Sequence, residues 1–184
     1  MNLVVRLLLV LVGAFRGPRL GPLDESVVRF RVLPNDLDNN LHMNNGRYLT
    51  LMDLGRTDLV VRMGVVRRLL QRKWRPVVGS LTIRYRRSLE PFQRYELRTR
   101  LVAWDDDWFF VEQRFVRGGE LVARAFVKGI FLGPEGRVPT QAVVDASGHG
   151  IASPPIPEGL RRWAEAEAML NSEPTPEGAD GRSG

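Results

Sequence analysis

The sequence predicts an α+β fold in which a curved antiparallel sheet wraps around one long helix. Three observations carry this. Apolar residues recur at helical spacing from Gly46 to about Met63. From Val77 onward the period changes from 3.6 to 2. Asp105-Asp106-Asp107 and Gly118-Gly119 then punctuate the alternating stretches as hairpin turns do. One long helix cannot bury itself alone, and a sheet curved around it is the economical solution. Such a sheet leaves an exposed edge, so pairing with a second copy is expected, as a homodimer or a dimer of dimers.

The elements follow in order. Residues 1–15 are apolar and broken only by Asn2 and Arg6. They are too short for a spanning helix, which needs about 20 apolar residues. Two readings stay open: a short helix packed on the domain, or a helix lying in a membrane surface with Arg16 and Arg19 at its end. Val12-Gly13-Ala14 is a poor cleavage site, and a removed signal ranks behind both. Gly17-Pro18 and Gly21-Pro22 mark a linker.

Ser26–Val32 alternates as a half-buried strand and Pro34 stops it. The long helix, Gly46–Met63, spans about 27 Å, with Gly55 permitting close approach to a neighbour. Val65–Leu70 adds a short second helix, and strands are predicted at Val77–Arg86, Tyr95–Trp104, Trp108–Arg117 and Glu120–Leu132. Gly133–Gly136 ends the last strand, 140–155 reads as loop, and Pro157–Leu170 as a short helix. The predicted organisation is an apolar segment and linker at 1–22, the main domain at 23–140, a loop and helix at 141–171, and a disordered tail at 172–184.

Bulk properties exclude several classes. The 184 residues contain no cysteine, which removes disulfides, thiolate catalysis and Cys-ligated zinc. The net charge of +6 is almost entirely arginine. The arginines are scattered and form no basic helix, so no nucleic-acid partner is expected. Asp105–Asp107 are three consecutive acids facing different ways on a turn, so no metal site is assigned.

Side chains able to do acid–base work concentrate in Asn35–Tyr48, where fourteen residues hold two carboxylates, five asparagines and one of the two histidines. Asp38, Asn40 and His42 share a face if the segment is extended. Positions 38 and 42 are then ~13 Å apart, and contact requires the loop to bend. Each has a plainer role as well. Asp38 can close an Asx turn, as Asp36 can; His42 can be a satisfied loop histidine; Asn44 and Asn45 can cap the helix.

Asp36-Leu37-Asp38-Asn39-Asn40-Leu41-His42-Met43-Asn44-Asn45, followed by Tyr48, resembles the corresponding loop of hotdog-fold acyl thioesterases. It is similar to the Asp-x-Asn-x-His-x-Asn-Asn stretch of the plant acyl-carrier-protein enzymes. Ser80–Arg87 resembles a strand of those proteins. The similarity is greatest to the 4-hydroxybenzoyl-CoA thioesterase-like branch that contains thioesterase superfamily member six. It runs through Arg31–Arg56, Tyr85–Phe92 and Thr99–Phe115, including Trp104-Asp105-Asp106.

The resemblance implies a hotdog homodimer that hydrolyses an acyl thioester of coenzyme A or acyl carrier protein, in fatty-acid or lipid metabolism, without a cofactor. Asp38 matches the thioesterase acid, Asn40 the accompanying asparagine and His42 the histidine. Asp38 would activate water or attack directly, and helix amides after Asn44-Asn45 would stabilise the oxyanion. Asn44, Asn45 and Tyr48 would contact substrate, and Arg84, Arg86 and Arg87 would meet phosphates or form a solvated strand face. The expected location is the cytoplasm, with membrane association if residues 1–15 lie in a bilayer surface.

The plant enzymes carry a functional Glu before the strand, where this chain has Val77. That departure keeps a second reading open, a non-catalytic hotdog that binds acyl-CoA or an acyl chain as sensor or scaffold. A hotdog dehydratase ranks lower, since Asp53 and Asp58 are the only acids on the long helix.

Overall fold

Residues 3–172 are described in a computed structural model of the chain. Residues 1, 2 and 173–184 lie outside the described residues, so the expected tail is not tested beyond Ser172. The elements are α1 (Leu3–Arg16), β1 (Ser26–Arg31), α2 (Asn45–Arg62), α3 (Val66–Gln71), β2 (Arg75–Tyr85), β3 (Arg94–Trp104), β4 (Phe109–Arg117), β5 (Glu120–Gly133), β6 (Gly136–Val138), α4 (Thr140–Asp145) and α5 (Glu158–Ser172). The sheet is antiparallel in the order β1-β3-β4-β5-β2, with β6 paired to β5. This is the hotdog arrangement of an α+β fold: the hairpin strands curve around α2 as the change of period requires.

The helix at the centre is held by packing on its buried face. Tyr48, Leu51, Met52 and Leu54 join Leu97, Phe115, Val122 and Ala123 of the sheet in one core cluster. Gly55 sits where helix and sheet come closest. A Cβ there would lie 2.6 Å from Thr99 Oγ1 and 2.8 Å from Leu97 Cδ2, both side chains of β3. Gly55→Ala is therefore expected to cost about 1–3 kcal/mol, read as a lower urea midpoint at unchanged slope, although alanine is the better helix former.

Two elements were missed in the sequence. The stretch after Gly133 turns back as the three-residue strand β6, and part of 140–155 folds as α4. Both are too short to show a period. Val143 and Val144 are buried in a second cluster with Val65, Leu69, Phe109 and Phe131, so tertiary contact makes α4. Trp104 is tied to this region through its indole N–H, which donates to Gln141 Oε1 at 3.0 Å, and its backbone N–H, which donates to Ser153 Oγ at 2.8 Å. At the Asp105–Asp107 turn, Asp105 Oδ1 accepts the amides of Asp107 and Trp108 at 2.9 and 2.6 Å.

Candidate active site

The loop between β1 and α2 bends into a miniature hairpin. Leu37 and Met43 form an isolated antiparallel bridge. The Asp38 amide donates to the His42 carbonyl at 2.8 Å, and the Leu41 amide to the Asp38 carbonyl at 3.1 Å. Leu41 takes a left-handed conformation, φ 58°, to close the turn. Asp38 Oδ1 points back into the loop and accepts the amides of Asn40 at 2.9 Å and His42 at 3.2 Å. The bend thus brings residues 38 and 42 face to face through the backbone. Asn40 stands exposed at the tip, while Asp38 and His42 are half-buried.

This hairpin is anchored from below by Asp36, which the sequence reading treated as a turn residue. Asp36 is fully buried. One carboxylate oxygen accepts Arg6 Nη2 at 2.5 Å and the Leu33 amide at 2.9 Å. The other lies 3.3 Å from Arg47 Nε. The two charged partners come from α1 and α2, so no local pattern discloses them. The apolar run around Arg6 was the available signal: a lone arginine on a buried helix face requires an anion.

The entry of α2 is built by asparagines. Asn44 is the N-cap; its Oδ1 accepts the Gly46 amide at 2.8 Å, and its carbonyl accepts the Arg47 amide at 2.9 Å. Two of the leading amides expected at an oxyanion are therefore engaged by the cap. The Asn45 carbonyl accepts the Tyr85 hydroxyl at 3.2 Å, which joins the helix entry to the end of β2.

Tyr48 lies in the core, 2% exposed, with its ring edge-on to Tyr85 and Phe115 at 5.1 and 4.8 Å between centroids. Burial chiefly, and then the neighbouring Tyr85 phenol, push its hydroxyl up to about 12, against the opposing effect of a hydrogen bond with the Leu89 backbone. It stays neutral at physiological pH. Arg84, Arg86 and Arg87 are exposed at the end of the edge strand. Arg84 pairs in register with Arg124, and Arg87 forms an exposed ion pair with Glu120 at 3.3 Å.

A separate cavity of about 560 Å³ opens beside the second half of α2, between α3, β2 and β5. Val60, Leu69, Trp74, Val77, Leu101 and Phe131 give it an apolar wall. Its polar side chains include Asp53, Arg56 and Thr57 on α2. Arg56 is ion-paired to Asp53 and donates to Gln113 Oε1 at 2.7 Å. Burial lowers the Arg56 pKa, and Asp53 opposes that shift. The sequence shows no cavity here, because its walls come from eight separate elements. Among the described residues, no cluster of three or more His, Asp or Glu side chains could hold a metal ion.

Comparison with known proteins agrees with this architecture. The chain is 37% identical to Protein THEM6 of Danio rerio over 152 residues, covering 81% of this chain and 73% of that protein. It is 38% identical to Protein THEM6 of Xenopus laevis over 135 residues, covering 72% of this chain and 63%, less than two thirds, of that protein. Among solved structures, a gentisyl-coenzyme A thioesterase superposes with a TM-score of 0.59 at 20% identity, over 66% of this chain and 98% of that one, which is a likeness of fold. The family model of the thioesterase-like superfamily matches residues 32–164, from just after β1 through the loop of Asp38 and strands β2 to β6 into α5. The chain belongs to the thioesterase-like superfamily.

Proposed function

We propose that the protein hydrolyses an acyl thioester, with coenzyme A as the favoured carrier and acyl carrier protein as the other, and that Asp38 is the reacting carboxylate. The observation that carries this is the Asp38 hairpin seated at the entry of the buried helix. Asp38 Oδ1 fixes the turn, which leaves Oδ2 to take a proton from water or to attack the carbonyl carbon. The tetrahedral oxyanion is held by the first amide of α2, that of Asn45, where the helix dipole is positive. When water is the nucleophile, the C–S bond then breaks, the thiolate leaves and takes up a proton, and the free acid is released. When Asp38 attacks, the same bond breaks to leave an acyl–Asp38 anhydride, which a water molecule hydrolyses to the free acid and the restored carboxylate. His42 orients the water and Asn40 guides the carrier at the tip.

The reading also assigns a dimer. β2 is one of the two edge strands of the sheet, eleven residues long, with Val77 39% and Val78 43% exposed. Pairing it with a second copy about a two-fold axis lays strands antiparallel. The Tyr85 end of β2 touches the helix entry, and its Arg75–Val78 end lines the cavity. Antiparallel pairing therefore sets the Asp38 loop of one copy near the cavity mouth of the other. The cavity takes the acyl chain, and Arg84 and Arg86 face the carrier's phosphates.

Free-thiol release from short, long and aromatic acyl-CoAs tests the activity directly. Val60→Trp is expected to narrow the cavity and lower kcat/KM for the longest acyl-CoAs by about tenfold or more, leaving the shortest unchanged. An unchanged chain-length profile would remove the cavity from substrate recognition. A binding protein without turnover is the second reading. Its support is that Asp38 already serves the loop as a turn acceptor. Saturable acyl-CoA binding with no thiol released would select it.

A further inference from the structure

We infer that α1 is a docking helix for an anionic membrane surface, independently of the reaction the protein catalyses. The helix is apolar all round, yet only one side packs on the domain. Arg6, Val10 and Ala14 are buried. At 100° per residue, Val5, Leu8, Leu9, Val12 and Phe15 fall within an outward arc of roughly 120°. They are 44, 56, 59, 45 and 68% exposed. A helix without a polar face is stable only when something apolar covers it.

Charge decides what covers it. The single arginine inside the helix is turned inward and neutralised on Asp36, so the outward arc carries no charge before Arg16. A groove runs between α1 and β1, and Leu9 and Gly13 line it on one side, Arg29 and Arg31 on the other. The Arg29 side chain is 81% exposed, and Glu96 balances it at 3.3 Å. Arg16 and Arg31 are exposed as well. An apolar strip bordered by arginines matches an anionic bilayer, with its hydrocarbon beneath and phosphates at the rim. The 14-residue helix is about 21 Å long and lies in the surface rather than across it. No helix among the described residues is long and apolar enough to cross a membrane.

The absence of cysteine allows a single reporter. The full chain carrying Leu8→Cys, labelled with an environment-sensitive fluorophore, is mixed with phosphatidylcholine vesicles with or without phosphatidylglycerol. The expected result is co-sedimentation and a blue shift with the anionic vesicles only, both weakened by salt. Leu8→Glu with Val12→Glu, in exposed positions that leave the fold intact by circular dichroism, is expected to reduce partitioning about tenfold or more. Wild-type protein that stays in the supernatant with anionic vesicles overturns the proposal. So does a blue shift without vesicles together with a light-scattering mass twice that of the Leu8→Glu, Val12→Glu variant, which would give the strip to a second copy.

Discussion

Asp38→Asn is expected to lower acyl-CoA hydrolysis by about 10²–10⁴-fold, the range of a lost general base, while the melting temperature barely moves. The two halves of this expectation come from the two carboxylate oxygens. Oδ1 accepts the Asn40 and His42 amides, and the asparagine carbonyl oxygen accepts them equally well. What asparagine lacks is the negative charge and the basic oxygen. Asp38→Ala removes the turn acceptor as well, and is expected to lose stability besides activity. Steady-state thiol release and thermal unfolding, run on both variants, separate the roles. Turnover unchanged in Asp38→Asn, with the fold intact, would assign Asp38 to the loop alone and take it out of the chemistry. Single turnover in ¹⁸O-water then distinguishes base from nucleophile: label goes straight into the product acid in the first case and onto Asp38 in the second.

The largest expected loss of stability is at Asp36, two residues away. Arg6 and Asp36 have side chains 3% and 0% exposed, so neither charge is relieved by water. Asp36→Asn keeps the shape and removes the anion, leaving Arg6 buried and uncompensated. The expected cost is about 3–5 kcal/mol, read as a drop in the denaturation midpoint. The exposed pair of Arg161 and Glu158 on α5 is a control, with 52% and 54% of the side chains in water. Its removal is expected to leave the denaturation midpoint almost unchanged. Replacing both partners, Arg6→Met with Asp36→Asn, is expected to recover part of the loss, because the buried charge is then gone. A double variant as unstable as Asp36→Asn alone would show that Arg6 is not the partner that matters. Because Asp36 receives α1 and also accepts, through its carbonyl, the Asn44 amide at 2.8 Å, its loss is expected to loosen the Asp38 hairpin as well.

The residues with the plainest local signals were the ones the sequence placed. Gly55 was assigned a close approach, and the structure puts β3 there. Asn44 was assigned a cap, and its Oδ1 takes the Gly46 amide. Gly118-Gly119 and Asp105–Asp107 were assigned hairpins, which join β4 to β5 and β3 to β4. Each of these rests on backbone preference within a few residues, and such preferences survive into the fold. A curved sheet around one buried helix followed from the same source, because such a helix and a run of alternating strands have few ways to cover each other, whereas the hotdog assignment rested on the resemblance of the Asp36–Asn45 loop.

Long-range position was decided only by the tertiary structure. Asp36 and Asp38 look alike in the sequence, yet one is sealed beneath α1 and the other faces half into solvent, since the distinction depends on an arginine thirty residues earlier. The cavity beside α2, the placement of β2 at an edge of the sheet and the folding of α4 likewise arise where distant segments meet. The sequence by itself determined the long helix, the longer strands and the hairpin turns between them, and which loop gathers the Asp, Asn and His side chains, because those properties are local. Burial and ion pairing belong to the assembled fold, because they depend on what the rest of the chain places around each charge.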